Sequence, residues 1–113
     1  MSTAVPLGAA TEFRLAERPE LVAEPERWEL AHAGGWVWCS RCERAWPVDD
    51  LRLVYEPQVE RAGYHPWIVG CADPRCPGAS PGVDLLSYAD LRQEAGLPYW
   101  PERPKAGQYL PLP

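Results

Sequence analysis

Four cysteines, arranged as two close pairs, are the residues of this sequence best suited to chemistry. Two residues separate Cys39 from Cys42, and four residues separate Cys71 from Cys76. A short loop with a cysteine at each end supplies two thiolates to a metal ion, and a second such loop completes a tetrahedral site. Because four thiolates leave no open coordination position, the spacing predicts a structural metal site rather than a catalytic one.

The two cysteine pairs and their flanks resemble the knuckles of zinc ribbons and of the related rubredoxin-like fold. The resembling residues are Trp36-Val37-Trp38-Cys39-Ser40-Arg41-Cys42 and Cys71-Ala72-Asp73-Pro74-Arg75-Cys76-Pro77-Gly78. The sequence departs from rubredoxins at two points, because the second pair is wider and Glu43 follows the first pair in place of a glycine. The resemblance implies a Zn²⁺ ion held by the four cysteines, with iron as the alternative, in an antiparallel ribbon over residues 36–78.

Three other uses of these residues stay open at the level of sequence. Two disulfides would suit a small secreted protein, although the chain opens without an apolar signal segment and is long enough to build a core. Residues 38–42 also resemble the thioredoxin redox motif, but Pro47 would interrupt the helix that this chemistry requires. Either His65 or Asp73 is a possible replacement for one cysteine ligand, and the presence of four thiols favours the cysteines.

The length and the pattern of elements predict a single small α+β domain over residues 1–113. We expect a loose N-terminal arm over 1–10, the zinc-ribbon-like antiparallel sheet over 36–78, one C-terminal helix over 83–95, and an extended proline-rich tail over 97–113. Four large side chains are expected to pin the tail to the domain, namely Tyr99, Trp100, Tyr109 and Leu110.

The segment before the first cysteine pair fits two alternatives. Apolar side chains alternate over residues 28–38 around Gly34-Gly35, which favours a β-hairpin with a tight glycine turn. A helix over 25–33 that ends at Gly34 competes with it. Further along, the alternation over residues 51–56 predicts a half-buried strand.

The charge of the protein disfavours binding to nucleic acid. The net charge is −5, and residues 36–76 contain five arginines and six carboxylates. Four thiolates around one Zn²⁺ would add further negative charge. Nucleic-acid affinity depends strongly on basic side chains that neutralise phosphates. Only a cluster of Arg41, Arg44 and Arg75 near the knuckles would favour such a partner.

The sequence contains none of the familiar catalytic motifs. It has no phosphate-binding glycine loop and no Gly-x-Ser-x-Gly elbow, and its two histidines are far apart. Six tryptophans in a small chain favour a protein-interaction surface, because aromatic side chains supply large contact areas. The candidate contact residues are Trp28, Trp36, Trp46, Trp67, Tyr99 and Trp100, with Arg41 and Arg44.

The sequence therefore predicts a non-enzymatic zinc protein that binds another protein. A nucleic-acid-binding ribbon linked to transcription or translation and a rubredoxin-like electron carrier are the alternatives. Reduced thiols and the absence of an apolar run of membrane-spanning length favour the cytoplasm. Ten arginines against one lysine are typical of a GC-rich bacterial genome.

Overall fold

The computed structural model describes residues 11–113, which form two antiparallel sheets and three α-helices. The strands are β1 (Glu12–Arg14), β2 (Trp36–Cys39), β3 (Arg44–Pro47), β4 (Arg52–Tyr55), β5 (Trp67–Gly70), β6 (Leu85–Ser87) and β7 (Gln108–Tyr109). The helices are α1 (Glu24–His32), α2 (Pro57–Arg61) and α3 (Tyr88–Glu94). The predicted α+β class is confirmed, and the arm predicted over 1–10 lies outside the described residues.

The first sheet has the strand order β1-β4-β5, and both strand pairs are antiparallel. Leu51 and Leu53 are fully buried, whereas the residues that follow each of them are less buried. Leu53 lies between Phe13 of β1 and Val69 of β5 in the register of the sheet. The half-buried strand predicted over 51–56 is therefore confirmed as β4.

The second sheet has the strand order β6-β2-β3-β7 and is covered on both faces. Val37 and Cys39 pack towards the first sheet and Trp38 packs the opposite way, as the two-residue period of a strand requires. The face towards the first sheet forms the inter-sheet core, which includes Val37, Cys39, Leu51, Leu53, Val69 and Leu85. The other face forms the tail core, which consists of Trp38, Ala45, Tyr88, Leu97, Trp100 and Leu110. The second sheet is thus the middle layer of three.

The C-terminal tail, residues 97–113, packs on the second sheet through the tail core. Of the four side chains expected to pin it, Trp100 and Leu110 are buried. Tyr99 and Tyr109 are 61% and 54% exposed, so neither side chain joins the tail core. Tyr109 nevertheless contacts the domain, because the Arg44 guanidinium lies 5.6 Å from its ring centroid. Tyr99 lies in a turn that the Trp100 N–H closes by donating to the Leu97 carbonyl at 3.0 Å. Tyr109 lies in an extended segment, in which its side chain and that of Leu110 point in opposite directions.

The hairpin predicted over 28–38 is wrong, because its first half is α1 and only its return strand, β2, is present. Pro25 lies in the first turn of α1, where its missing N–H has no helical partner to lose, and two glutamates beside it favour the helix dipole. Gly34 and Gly35 both adopt positive φ angles, of 69° and 103°, just beyond the helix. The structure therefore supports the alternative helix over 25–33.

The helix predicted over 83–95 begins only at Tyr88, and it is one of three helices rather than a single one. Leu85–Ser87 instead forms β6, which pairs antiparallel with β2. Ser87 then caps α3, because its hydroxyl accepts a hydrogen bond from the Asp90 N–H at 3.3 Å. Within residues 11–113, no helix has both the length and the apolar character that crossing a membrane requires.

Candidate metal centre

The sulfur atoms of the four cysteines lie together at the edge of the inter-sheet core. Cys39 Sγ is 3.6 Å from Cys76 Sγ, and Cys42 Sγ is 3.7 Å from Cys71 Sγ. All four sulfurs lie within 4.8 Å of one another, and none forms a disulfide. A tetrahedral centre with metal–sulfur bonds of about 2.3 Å places its sulfurs about 3.8 Å apart. The cluster therefore fits a single metal ion, and the predicted convergence of the cysteines is confirmed.

The two cysteine pairs come from different sheets. The first knuckle, residues 39–42, joins β2 to β3 in the second sheet, whereas the second knuckle, residues 71–76, follows β5 in the first sheet. After the second knuckle the chain folds back on β5, because the Cys71 N–H donates to the Gly78 carbonyl at 2.9 Å. A metal ion in the cluster would therefore cross-link the two sheets.

Backbone N–H groups of the knuckles surround the sulfurs. The Gly78 N–H donates to Cys76 Sγ at 3.4 Å. The N–H groups of Arg41 and Cys42 donate to Cys39 Sγ, in the tight turn that the first knuckle makes. Such donors spread the negative charge of a thiolate, so both knuckles are preorganised for metal-bound sulfur.

In the metal-free cluster, the thiols of Cys39, Cys71 and Cys76 have different pKa values. The Cys71 thiol donates to Cys39 Sγ, and this hydrogen bond, together with those from the knuckle N–H groups, lowers the pKa of Cys39 to about 5. The same hydrogen bond, together with burial, raises the pKa of Cys71. Burial raises the pKa of Cys76 to about 11. The Cys39 thiolate therefore forms readily, and a nearby cation is needed to favour the thiolates of Cys71 and Cys76.

Two residues that the sequence did not single out hold the knuckles in place. The Arg52 side chain, on β4, donates from Nε to the Cys71 carbonyl at 2.7 Å and pairs with Glu12 at 2.9 Å. The Asp84 carboxylate accepts the Ala79 N–H at 3.0 Å, and its carbonyl accepts the Ser40 N–H at 2.8 Å. Asp84 thus connects the first knuckle to the chain beyond the second. The contacts of Arg52 with Cys71 and of Asp84 with Ser40 have no local sequence signal, because their partners lie far apart in the chain.

Two residues considered as replacement ligands lie outside the cluster. His65 Nε2 hydrogen-bonds to the Leu21 carbonyl at 2.5 Å. Asp73 accepts the Arg75 N–H at 3.0 Å, which shapes the second knuckle rather than a metal site. The four cysteines are therefore the ligand set that the geometry supports.

Glu43, which directly follows the first knuckle, adopts a positive φ of 58°. This left-handed conformation is the one that glycine adopts without steric cost, and rubredoxins carry a glycine at this position. The Glu43 carbonyl accepts the Leu110 N–H at 2.8 Å, and its carboxylate lies 3.3 Å from the Leu112 N–H. These contacts with the tail help to hold the strained residue in place.

Gly78 is expected to be essential for closing the site. A Cβ atom at this position would overlap Cys39 Sγ and lie 3.3 Å from Arg41 Cγ. We expect Gly78→Ala to displace Cys39 from the cluster and weaken metal affinity by about tenfold or more, which a competition titration with a chromogenic chelator measures. Gly70→Ala is the matched control, because its Cβ would make only ordinary contacts at 3.7 and 3.8 Å. Equal affinities for the two variants would contradict this role.

The candidate contact residues fall into buried and accessible sets. Trp67 and Trp100 are core residues, only 4% and 2% exposed, which removes them from a contact surface. Trp36 and Trp46 are half-buried. Trp28 is 75% exposed, the largest value among the large hydrophobic side chains of the described residues.

The arginines near the knuckles do not form a purely basic patch. Arg41 is exposed, whereas Arg44 is half-buried and donates to the Gly107 carbonyl at 2.8 Å. Arg44 and Arg75 line one depression, but the Asp73 carboxylate lies there as well, 3.5 Å from Arg75. The mixed charge gives this surface no clear preference for phosphates.

Comparisons of the chain with models of known protein families, with curated proteins and with solved structures found no match. The chain is thus a small α+β protein with a four-cysteine cluster that can hold a metal ion.

Proposed function

We propose that the protein binds one Zn²⁺ ion through Cys39, Cys42, Cys71 and Cys76, and that the ion is structural. The observation that carries the proposal is the convergence of four sulfurs, two from each sheet, at spacings that suit a tetrahedral thiolate centre. Four protein ligands leave no position for a substrate, which favours a non-enzymatic role. Four free thiols favour a reducing compartment such as the cytoplasm.

Zinc and iron both suit a tetrahedral set of four sulfurs. The wider second knuckle, which differs from that of rubredoxins, favours zinc. The test is metal analysis of protein produced in medium that contains both metals. We expect a colourless protein with one zinc per chain, whereas an iron-bound protein with visible absorption would support the electron-carrier alternative instead.

The proposed role of the folded protein is to bind another protein through α1. Trp28 lies one helical turn from Ala31, which lines an apolar cleft of about 470 Å³ together with Leu15, Val22, Leu30 and Val48. An exposed tryptophan beside an apolar cleft is typical of a protein-binding surface. The mixed charge around the knuckles favours this role over nucleic-acid binding.

Trp28→Ala is expected to abolish partner capture without affecting the fold. Trp28 is largely exposed, so its removal changes few internal contacts, whereas a tryptophan at the centre of an interface contributes about 2 kcal/mol or more, or roughly 30-fold in affinity. The measurement is affinity capture from the native organism with the wild-type protein and the variant. Tyr64→Ala, which removes an aromatic side chain that is 73% exposed and is not among the candidate contact residues, is the control. Unchanged recovery of every specific partner by Trp28→Ala would contradict the proposed surface.

A further inference from the structure

We propose that the four-cysteine cluster is an oxidation site for hydrogen peroxide, which converts it into two disulfides that each join the two knuckles. Cys42 and Cys71 form the first disulfide, and Cys39 and Cys76 form the second. The release of metal by this oxidation rests on the proposed zinc site, whereas the pairing of the disulfides depends only on the positions of the sulfurs.

The pairing follows from the distances between the sulfurs. Cys39 Sγ lies 3.6 Å from Cys76 Sγ and Cys42 Sγ lies 3.7 Å from Cys71 Sγ, and both contacts connect one knuckle to the other. The Cys71 thiol also contacts Cys39 Sγ, so a Cys39–Cys71 disulfide is the competing product. A disulfide bond is about 2.05 Å long, so the two sulfurs of either pair have to approach each other by about 1.6 Å to form the bond. Within each knuckle, by contrast, backbone N–H groups donate hydrogen bonds to a cysteine sulfur, Cys39 Sγ in the first knuckle and Cys76 Sγ in the second.

The order of oxidation follows from burial. Cys39 and Cys71 are 0% exposed and Cys76 is 8% exposed, whereas Cys42 is only partly buried. A small oxidant therefore reaches Cys42 most directly. Cys71 Sγ, at 3.7 Å, is positioned to react with the oxidised Cys42 before a second peroxide molecule does.

Hydrogen peroxide is the only oxidant that this reaction requires. The Cys42 thiolate attacks one peroxide oxygen, the O–O bond breaks, and the products are a Cys42 sulfenic acid and hydroxide. The Cys71 thiolate then attacks the Cys42 sulfur and displaces a second hydroxide, which leaves the Cys42–Cys71 disulfide. One peroxide has been reduced and two thiolates have been oxidised. Cys39 and Cys76, left without two of the metal ligands, react with a second peroxide in the same way.

The oxidised protein keeps the connection between its sheets. Both disulfides join the second sheet, through the first knuckle, to the chain that follows β5 of the first sheet. Oxidation therefore replaces the metal cross-link by covalent cross-links and releases the metal without unfolding the chain. The site thus converts an oxidant signal into metal release from a protein that stays folded.

Tryptic digestion of the oxidised protein identifies directly which cysteines are joined by a disulfide. Cleavage after arginine places each cysteine in a different peptide: Cys39 in 28–41, Cys42 in 42–44, Cys71 in 62–75 and Cys76 in 76–92. The full-length reduced protein is first assayed for bound zinc, then titrated with hydrogen peroxide while a chromogenic chelator records the metal released. Samples are alkylated, digested without reductant and analysed by mass spectrometry, with a reduced digest as the control.

We expect peptide 42–44 linked to 62–75 at low peroxide, and 28–41 linked to 76–92 only at higher peroxide. A sulfenic-acid trap should label peptide 42–44 first, and the far-UV circular dichroism should stay unchanged. Links of 28–41 to 42–44, or of 62–75 to 76–92, would overturn the inference, as would the other pairing between the knuckles, 28–41 to 62–75 with 42–44 to 76–92. Unfolding on oxidation would overturn it as well. Absence of zinc from a folded, reduced protein would contradict the proposed function alone, because a protein that folds without metal keeps the sulfur positions on which the pairing rests.

Discussion

Removing the metal is expected to abolish the cooperative thermal unfolding of this protein. Structural zinc in small domains contributes on the order of 10–16 kcal/mol of apparent binding free energy, whereas the total stability of a domain is about 5–15 kcal/mol. The cluster lies in the inter-sheet core, and its two knuckles belong to different sheets. Loss of the ion leaves four crowded sulfurs without the charge that holds them together, so the two sheets should separate.

Chelation and Cys71→Ser test this expectation in two independent ways. Cys71 is fully buried, and the hydroxyl that replaces its thiol is a poor ligand for zinc. Differential scanning calorimetry should show a broad or absent transition in both cases. Ser40→Ala is the control, because Ser40 lies within the first knuckle but is exposed and makes only a 3.4 Å side-chain contact with Asp84. An unchanged melting curve after verified loss of metal would show that the ion does not hold the fold.

Trp100→Ala is expected to destabilise the protein by about 3–5 kcal/mol, the usual loss for a large aromatic side chain removed from a core. Trp100 stacks on Tyr88 with ring centroids 5.5 Å apart and packs against Trp38 at 5.7 Å. Its carbonyl accepts a hydrogen bond from Arg92 Nε at 2.7 Å. The substitution therefore opens a cavity in the tail core and loosens the tail from the second sheet.

Urea denaturation of metal-loaded protein measures this effect as a lower midpoint. Limited proteolysis should also cut the tail of Trp100→Ala faster than that of the wild type. Tyr99→Ala is the matched control, because the adjacent side chain is 61% exposed and its removal should change stability by no more than about 0.5 kcal/mol. Similar midpoints for the two variants would contradict the assignment of Trp100 to the core.

The convergence of the four cysteines could be predicted because its signal is local. Each cysteine pair reports on one short loop, and two such loops in one chain are sufficient to indicate a shared ion. The strand over 51–56 was predictable for the same reason, since its alternation is a property of neighbouring residues. The zinc-ribbon architecture itself stays a prediction, although the α+β class is confirmed.

Elsewhere the same residues satisfied two competing patterns. Alternate positions such as Trp28 and Leu30 suggest a strand, yet Leu30 is also the buried residue of α1, and Gly34 serves a helix end as well as a hairpin turn. Leu85 fits the apolar face of a helix, but its pairing with Cys39 makes it part of β6. The choice in each case depends on contacts with distant segments, which periodicity does not report.

The most direct test of the metal centre is X-ray absorption spectroscopy at the zinc edge of the purified, reduced protein. We expect a single shell of four sulfur neighbours at about 2.3 Å, with one zinc per chain. That shell should lose sulfur neighbours in Cys71→Ser but keep all four in Ser40→Ala. A shell containing nitrogen or oxygen ligands in the wild-type protein, or a reduced protein that binds no metal, would contradict this expectation.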